Sequence, residues 1–201
     1  EETDWIGGQV TSQGVPPDEH PWIEDFGATK RYQAYRQKVR ETYLRMMDVK
    51  DEKVVFNPGN GLVSSICHDP RVSVHVLNEM LLPYVLSGQL TIELNTVVTT
   101  VGRNGDLVER VTYRNKLTGN TGTAEALYFI DATEAGDVLP LAEVAYVTGA
   151  EAISETNEPH ALKEADPKDI QAFTYVLGME YRAGEDHTIP EPELYSFWRE
   201  F

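Results

Sequence analysis

The sequence predicts an α/β fold in which helices precede an antiparallel meander and a final buried strand. Three observations carry this. Apolar residues recur at three-to-four spacing through 28–47 and again through 70–86, the repeat of one buried helical face. Alternation then takes over from Leu90 onward, with turn signals between the runs, as in short paired strands. The last run, Leu127-Tyr128-Phe129-Ile130, is apolar throughout, as a strand covered on both faces should be.

The elements follow in chain order. Residues 5–26 are rich in Gly, Pro and single polar residues, with Pro16-Pro17 and His20-Pro21 as breakers, so they read as a structured loop. The first helix, 28–47, lines up Tyr32, Tyr35, Val39, Tyr43 and Met46 on one face. Asn57-Pro58-Gly59-Asn60-Gly61 is a turn cluster. Asp69-Pro70 then supplies an N-cap and a first-turn proline. The second helix continues through Val72, Val76, Leu77, Met80 and Tyr84 to a stop at Gly88, where glycine accepts the left-handed conformation that closes a helix. Pro83 is expected to kink the last turn or end it early. Strand-like runs follow at Leu90–Leu94, Val97–Val101, Val108–Tyr113 and Thr123–Ile130, with Asn104-Gly105-Asp106 and Thr118-Gly119-Asn120 as turns. Beyond Pro140 the pattern loosens to a helix at 167–173 and a strand at 174–181.

Composition removes several classes. With 201 residues, 41% hydrophobic and 25% charged, the chain is neither disordered nor collagen-like. Its longest apolar stretches, such as Met80–Leu86, fall far short of the ~20 residues that span a bilayer. A lone cysteine, Cys67, excludes an internal disulfide and a thiolate metal cluster. Seventeen bases against 33 acids give a net charge of −16, which repels phosphate backbones, so neither nucleic acid nor an anionic membrane is expected as a partner. The charge is uneven. Residues 28–47 carry six bases and one acid, and this basic helix is expected to pair with acidic neighbours of the same chain. A glycosidase reading through paired carboxylates rests only on the abundance of acids.

Two clusters carry chemistry. In the first, Glu1 precedes Gly7-Gly8-Gln9-Val10-Thr11-Ser12-Gln13-Gly14. A glycine pair lets backbone approach a ligand closely, and a carboxylate just upstream suits a ribose diol; an ordinary loop has the same composition. The second is Phe129-Ile130-Asp131-Ala132-Thr133-Glu134-Ala135-Gly136-Asp137. Ligands of open α/β sheets sit where strands end in such turns, although Asp and Thr here equally suit a tight turn capping the next segment.

With the meander, these clusters resemble the FAD-dependent oxidoreductases of the two-dinucleotide-binding-domain flavoprotein class. The resemblance also takes in Gly149-Ala150-Glu151, Ser154-Glu155-Thr156, Glu158-Pro159-His160 and Glu185-Asp186-His187-Thr188-Ile189-Pro190, all in one order. It implies that Glu1 holds the adenosine ribose and that Gly7 and Gly8 pass the pyrophosphate and flavin. Gln9, Thr11, Ser12, Gln13 and Gly14 would run beside the isoalloxazine. Val98, in the strand 94–101, would read the adenine edge, and Ala132, Thr133, Gly136 and Asp137 would form the second FAD-binding turn. Related proteins that tether flavin covalently can carry His where Gln9 stands, so non-covalent FAD is expected. Glu134 stands where relatives often have Gly; a carboxylate there would repel phosphate, so it is expected to point away.

The resemblance has one large departure. No strand with a G-x-G-x-x-G turn precedes Glu1, and that turn would carry the helix N-terminus for the pyrophosphate. Residues 1–140 are therefore expected to be the central part of an FAD-binding Rossmann-like domain, and 141–201 the start of a substrate domain. The absence of an initiator Met or signal pattern, and an aromatic close at Phe197-Trp198-Arg199-Glu200-Phe201, make both ends read as interior sequence. The expected activity is hydride transfer from a small-molecule substrate to flavin, with the fragment alone inactive. The alternative is a non-catalytic acidic interaction module on a flavoprotein-like scaffold. The sequence gives no oligomeric state; a cytoplasmic site is favoured, and export stays open.

No catalytic residue is assigned. His20, His160 and His187 have the chemistry of a general base, but a structural role in a loop is the favoured reading. His68 is expected to be structural and His75 an ordinary helical residue. No metal site is expected, because His68 and Cys67 are sequence neighbours and adjacent ligands chelate poorly. Trp5, Trp22 and the tyrosines at 32, 35 and 43 are expected in the core.

Overall fold

The computed structural model describes residues 1–13, 20–47, 57–59, 61–172 and 176–200. It begins with a single helical turn, α1 (Gln9–Ser12), then two long helices, α2 (Lys30–Met47) and α3 (Pro70–Leu86). Strands β1 (Thr96–Asn104), β2 (Leu107–Asn115) and β3 (Thr121–Glu125) form an antiparallel sheet in the order β1-β2-β3. Three short helical turns complete the described chain: α4 (Val138–Leu141), α5 (Ile153–Thr156) and α6 (Tyr195–Trp198).

The helices start and stop where their local chemistry dictates. Thr29 caps α2, its hydroxyl accepting from the Tyr32 amide at 3.2 Å. Asp69 caps α3, accepting from the Arg71 amide at 2.9 Å, with Pro70 in the first turn. At the other end Gly88 takes φ 72°. Its amide donates to Val85 O at 3.1 Å and the next amide, Gln89, to Tyr84 O at 2.9 Å, the paired closure of a Schellman motif. Pro83 does not end the helix. It removes one donor within the last turn, and that turn still closes through Ser87 N to Pro83 O at 3.1 Å.

The core lies between α2 and α3. Tyr35, Val39, Ile66, Val72 and Val76 are buried there, with Val10, Tyr32, Tyr43, Leu77 and Met80 packed against them. His68 is structural, as expected: it is buried, with one ring nitrogen on Ile66 O and the other on Ser73 Oγ, which also meets the Tyr35 hydroxyl at 2.6 Å. The basic α2 does pair within the chain. Arg36 and Arg40 both reach Glu24, and Lys38 reaches Glu79. The two tryptophans are a correction: Trp22 is 57% exposed and stacks on Phe26, and Trp5 is also at the surface.

The meander has the expected order, with Val101 opposite Val111 and Thr112 opposite Thr123. Several expected elements are absent. Leu90–Leu94 is irregular and Leu127–Ile130 is not a strand, with Leu127, Tyr128 and Ile130 exposed. Apolar side chains favour a buried strand only if neighbouring strands satisfy its backbone, and no described strand lies beside 127–130. Residues 167–172 are not helical, because Asp166 closes a turn on Lys168 and Asp169 instead. Residues 176–181 form no strand; 173–175 lie outside the described residues. Among the described residues, no helix is long and apolar enough to cross a membrane.

Candidate functional site

The first turn of the site is clamped between α1 and α3. Gly7 has φ 121° and Gly8 φ 50°, conformations that glycine adopts without steric cost. At Gly7 space is also decisive: a Cβ would fall 2.3 Å from Thr11 Cγ2 and 2.9 Å from Leu77 Cδ1. Thr11 is fully buried and its hydroxyl donates to Ile6 O at 2.9 Å, so it holds the turn. Among the described residues, the amides of Gly8 and Gln9 meet no protein acceptor.

Glu1 is fastened to the start of β1, where Thr96 N donates to Glu1 O and Asn95 N to Thr3 O, both at 2.8 Å. Its carboxylate accepts from the Thr3 amide at 2.9 Å and the Thr3 hydroxyl at 2.8 Å. Partial burial pushes this carboxyl up, but the Thr3 hydrogen bonds outweigh it and hold it below the usual range.

The second turn is organised by Asp131. One carboxylate oxygen accepts from the Thr133 amide at 3.0 Å and the Thr133 hydroxyl at 2.8 Å; the other accepts from the Val138 amide at 3.1 Å. Thr133 Oγ1 in turn accepts from the Asp137 amide at 2.7 Å. These bonds, led by that from the Thr133 amide, keep the Asp131 carboxyl low. The turn is thus capped by Asp and Thr. Gly136, at φ 68°, lets the chain enter α4.

A cavity of about 1270 Å³ joins both turns to the start of β1. Of the residues expected at a ligand, Glu1, Gly7, Gly8, Gln9, Thr11, Ser12, Val98, Ala132, Thr133 and Asp137 line it. Gln13 and Gly136 do not, and Gly14 lies outside the described residues. The lining also includes Trp5, Val97, Ile130, Asp131 and Glu134. Glu134 corrects its expectation. It points toward the glycine turn, with Oε1 2.7 Å from where a Gly8 Cβ would be.

His20, His160 and His187 do not line this cavity. His20 packs against Gly27 and accepts from the Trp22 amide at 3.2 Å, while His187 meets Glu185 at 2.6 Å on the surface. Among the described residues no group of acids, histidines and cysteine is placed to hold a metal ion.

The sequence matches the FAD dependent oxidoreductase family over residues 1–199. The chain belongs to that family. Neither the curated proteins nor the solved structures contain a match to it. The cofactor of an FAD dependent oxidoreductase is FAD, and its substrate is a small molecule. The cavity of this oxidoreductase presents the glycine pair, with the Glu134 carboxylate lying against Gly8, and the Gly8 and Gln9 amides, which have no acceptor among the described residues. Among the described residues its side-chain charge is of one sign: Glu1, Glu2, Asp131, Glu134 and Asp137 line it, with no lysine or arginine. Asp131 builds the turn as the capping acid that the sequence cluster offered, whereas Thr3 was missed as a site-building residue. Nothing in the sequence marked Thr3.

Proposed function

We propose that residues 1–140 hold FAD non-covalently in this cavity, as the central part of a Rossmann-like domain, and that residues 141–201 begin the substrate domain. The observation that carries the reading is the convergence of two turns far apart in sequence, with Glu1 and Val98, on one cavity. That cavity exceeds the ~300–1,000 Å³ usual for a small ligand, as an elongated dinucleotide requires.

Each part has work suited to its chemistry. Glu1, kept ionised by Thr3, accepts hydrogen bonds from the ribose hydroxyls. The Gly8 and Gln9 amides supply donors for phosphate oxygens, whose binding needs donors rather than side-chain cations. Val97 and Val98 give an apolar wall beside the adenine. Thr11 shapes the turn from beneath, since its hydroxyl is committed to Ile6 O. Gln9 has no nucleophile to offer flavin, in keeping with non-covalent binding. Bound here, FAD would supply the redox chemistry as a hydride acceptor, and the residues of the cavity would bind, orient and shield it.

Titrating FAD into Glu1→Gln and the unmodified protein tests this through the flavin absorption change. A hydrogen bond to a charged acceptor contributes about 1.5–3 kcal/mol, so the variant should bind FAD about tenfold more weakly or worse. Equal affinity would remove Glu1, and with it the proposed orientation of FAD, from the account.

A further inference from the structure

We propose that Glu134 is a charge gate between the two turns: its carboxylate occupies the approach to Gly8 and must turn aside before a phosphate settles there. The inference rests on the reading that the phosphates of FAD pass the glycine turn.

The contact is specific. A Cβ built on Gly8 would lie 2.7 Å from Glu134 Oε1 and 3.9 Å from its Cδ, so the carboxylate rests on the glycine itself. Gly8 is held in place from the other side, because Val10 N and Thr11 N close α1 onto Gly7 O and Gly8 O at 3.0 and 3.2 Å. The turn therefore cannot yield, and the long exposed side chain must. Among the described residues, no hydrogen bond or ion pair holds the Glu134 carboxylate, in contrast to that of Asp131; the Asp137 carboxylate is likewise unheld, its amide alone bonding Thr133 Oγ1. Asp131 is committed to Thr133 and Val138, and Glu2 meets Lys116 at 3.5 Å. The carboxylate makes no hydrogen bond to the Gly8 and Gln9 amides, but as an anion on the same turn it stands where exposed amides would draw a phosphate. It competes with phosphate for the same place and repels it at the same time.

The consequence is selective. Glu134 should weaken ligands that carry a pyrophosphate and leave an uncharged flavin alone. The affinities of FAD, ADP and riboflavin are measured for the unmodified protein and for Glu134→Gln, which keeps the shape and removes the charge. A like-charge interaction between exposed groups corresponds to about a fivefold change in affinity. The variant is expected to bind FAD and ADP about fivefold more tightly at low salt, with riboflavin unchanged and the gain shrinking as salt rises.

A variant that binds ADP no better, or that tightens riboflavin equally, overturns the gate and leaves FAD binding intact. A second variant, Glu134→Ala, guards against a peculiarity of Gln and must tighten ADP as well. If neither the unmodified protein nor the variants bind FAD or ADP saturably while their circular dichroism is that of folded protein, the FAD reading itself fails and the gate fails with it.

Discussion

Glu24 shows how one loop residue can fasten several elements. It lies in the loop before α2, yet accepts from Arg36, from Arg40 at 3.1 Å and from Ser65 at 2.8 Å. Burial pushes its carboxyl up, but the bonds from Arg40, Ser65 and Arg36 prevail and bring it down to about 2 from the usual 4.5. A carboxyl depressed on folding contributes stability above the unfolded value and loses it as pH falls through the folded value. The stability difference between the unmodified protein and Glu24→Gln in urea should therefore be full at pH 7 and shrink from about pH 4.5 toward pH 2. Since Glu24 is 38% exposed, solvent screening limits the pH-dependent part to on the order of 1 kcal/mol. A difference independent of pH would show that the charge of Glu24 is not what holds the loop. Such a residue is invisible in sequence, because its partners lie 12, 16 and 41 positions away. Gly7 and Gly8 were legible because positive φ selects glycine locally. The direction of Glu134 was not, since it depends on where a distant turn arrives.

At the scale of elements, legibility follows how local the determinant is. Asp69-Pro70 and Gly88 announced both ends of α3 because caps act within a few residues. Gly88 also gives a clean test, for nothing lies within 4 Å of a Cβ placed there. Gly88→Ala should therefore cost only the backbone strain of a left-handed alanine, about 1–2 kcal/mol, and Gly88→Asn less, both read as shifts of the urea midpoint. An unchanged midpoint for Gly88→Ala would mean that the Schellman closure does not stabilise the helix. The meander was legible from alternation and its turn glycines. The strand expected at Leu127–Ile130 was not realised, because composition says what a buried strand contains and not whether neighbours flank it. The expected helix is not formed over its described residues, 167–172, for a related reason: Ile170 is exposed.

Across the whole molecule, charge and topology act together. The net of −16 conceals an internal arrangement in which Arg36, Lys38 and Arg40 of the basic α2 pair with Glu24 and Glu79, while among the described residues the charged side chains that line the cavity are all acids. The sequence revealed the excess and its unevenness, but only the fold shows the acids converging on one cavity. The helical core sets that geometry: Val10 ties α1 to the core that α3 helps form, and the backbone of Glu1 and Thr3 ties the same region to β1. Hydrogen–deuterium exchange of the protein with and without FAD tests the central claim most directly. The account predicts slowed exchange in residues 6–10 and 131–138 together, and little change in α2. Protection confined to other segments, or none at FAD concentrations that saturate the absorption change, would contradict it.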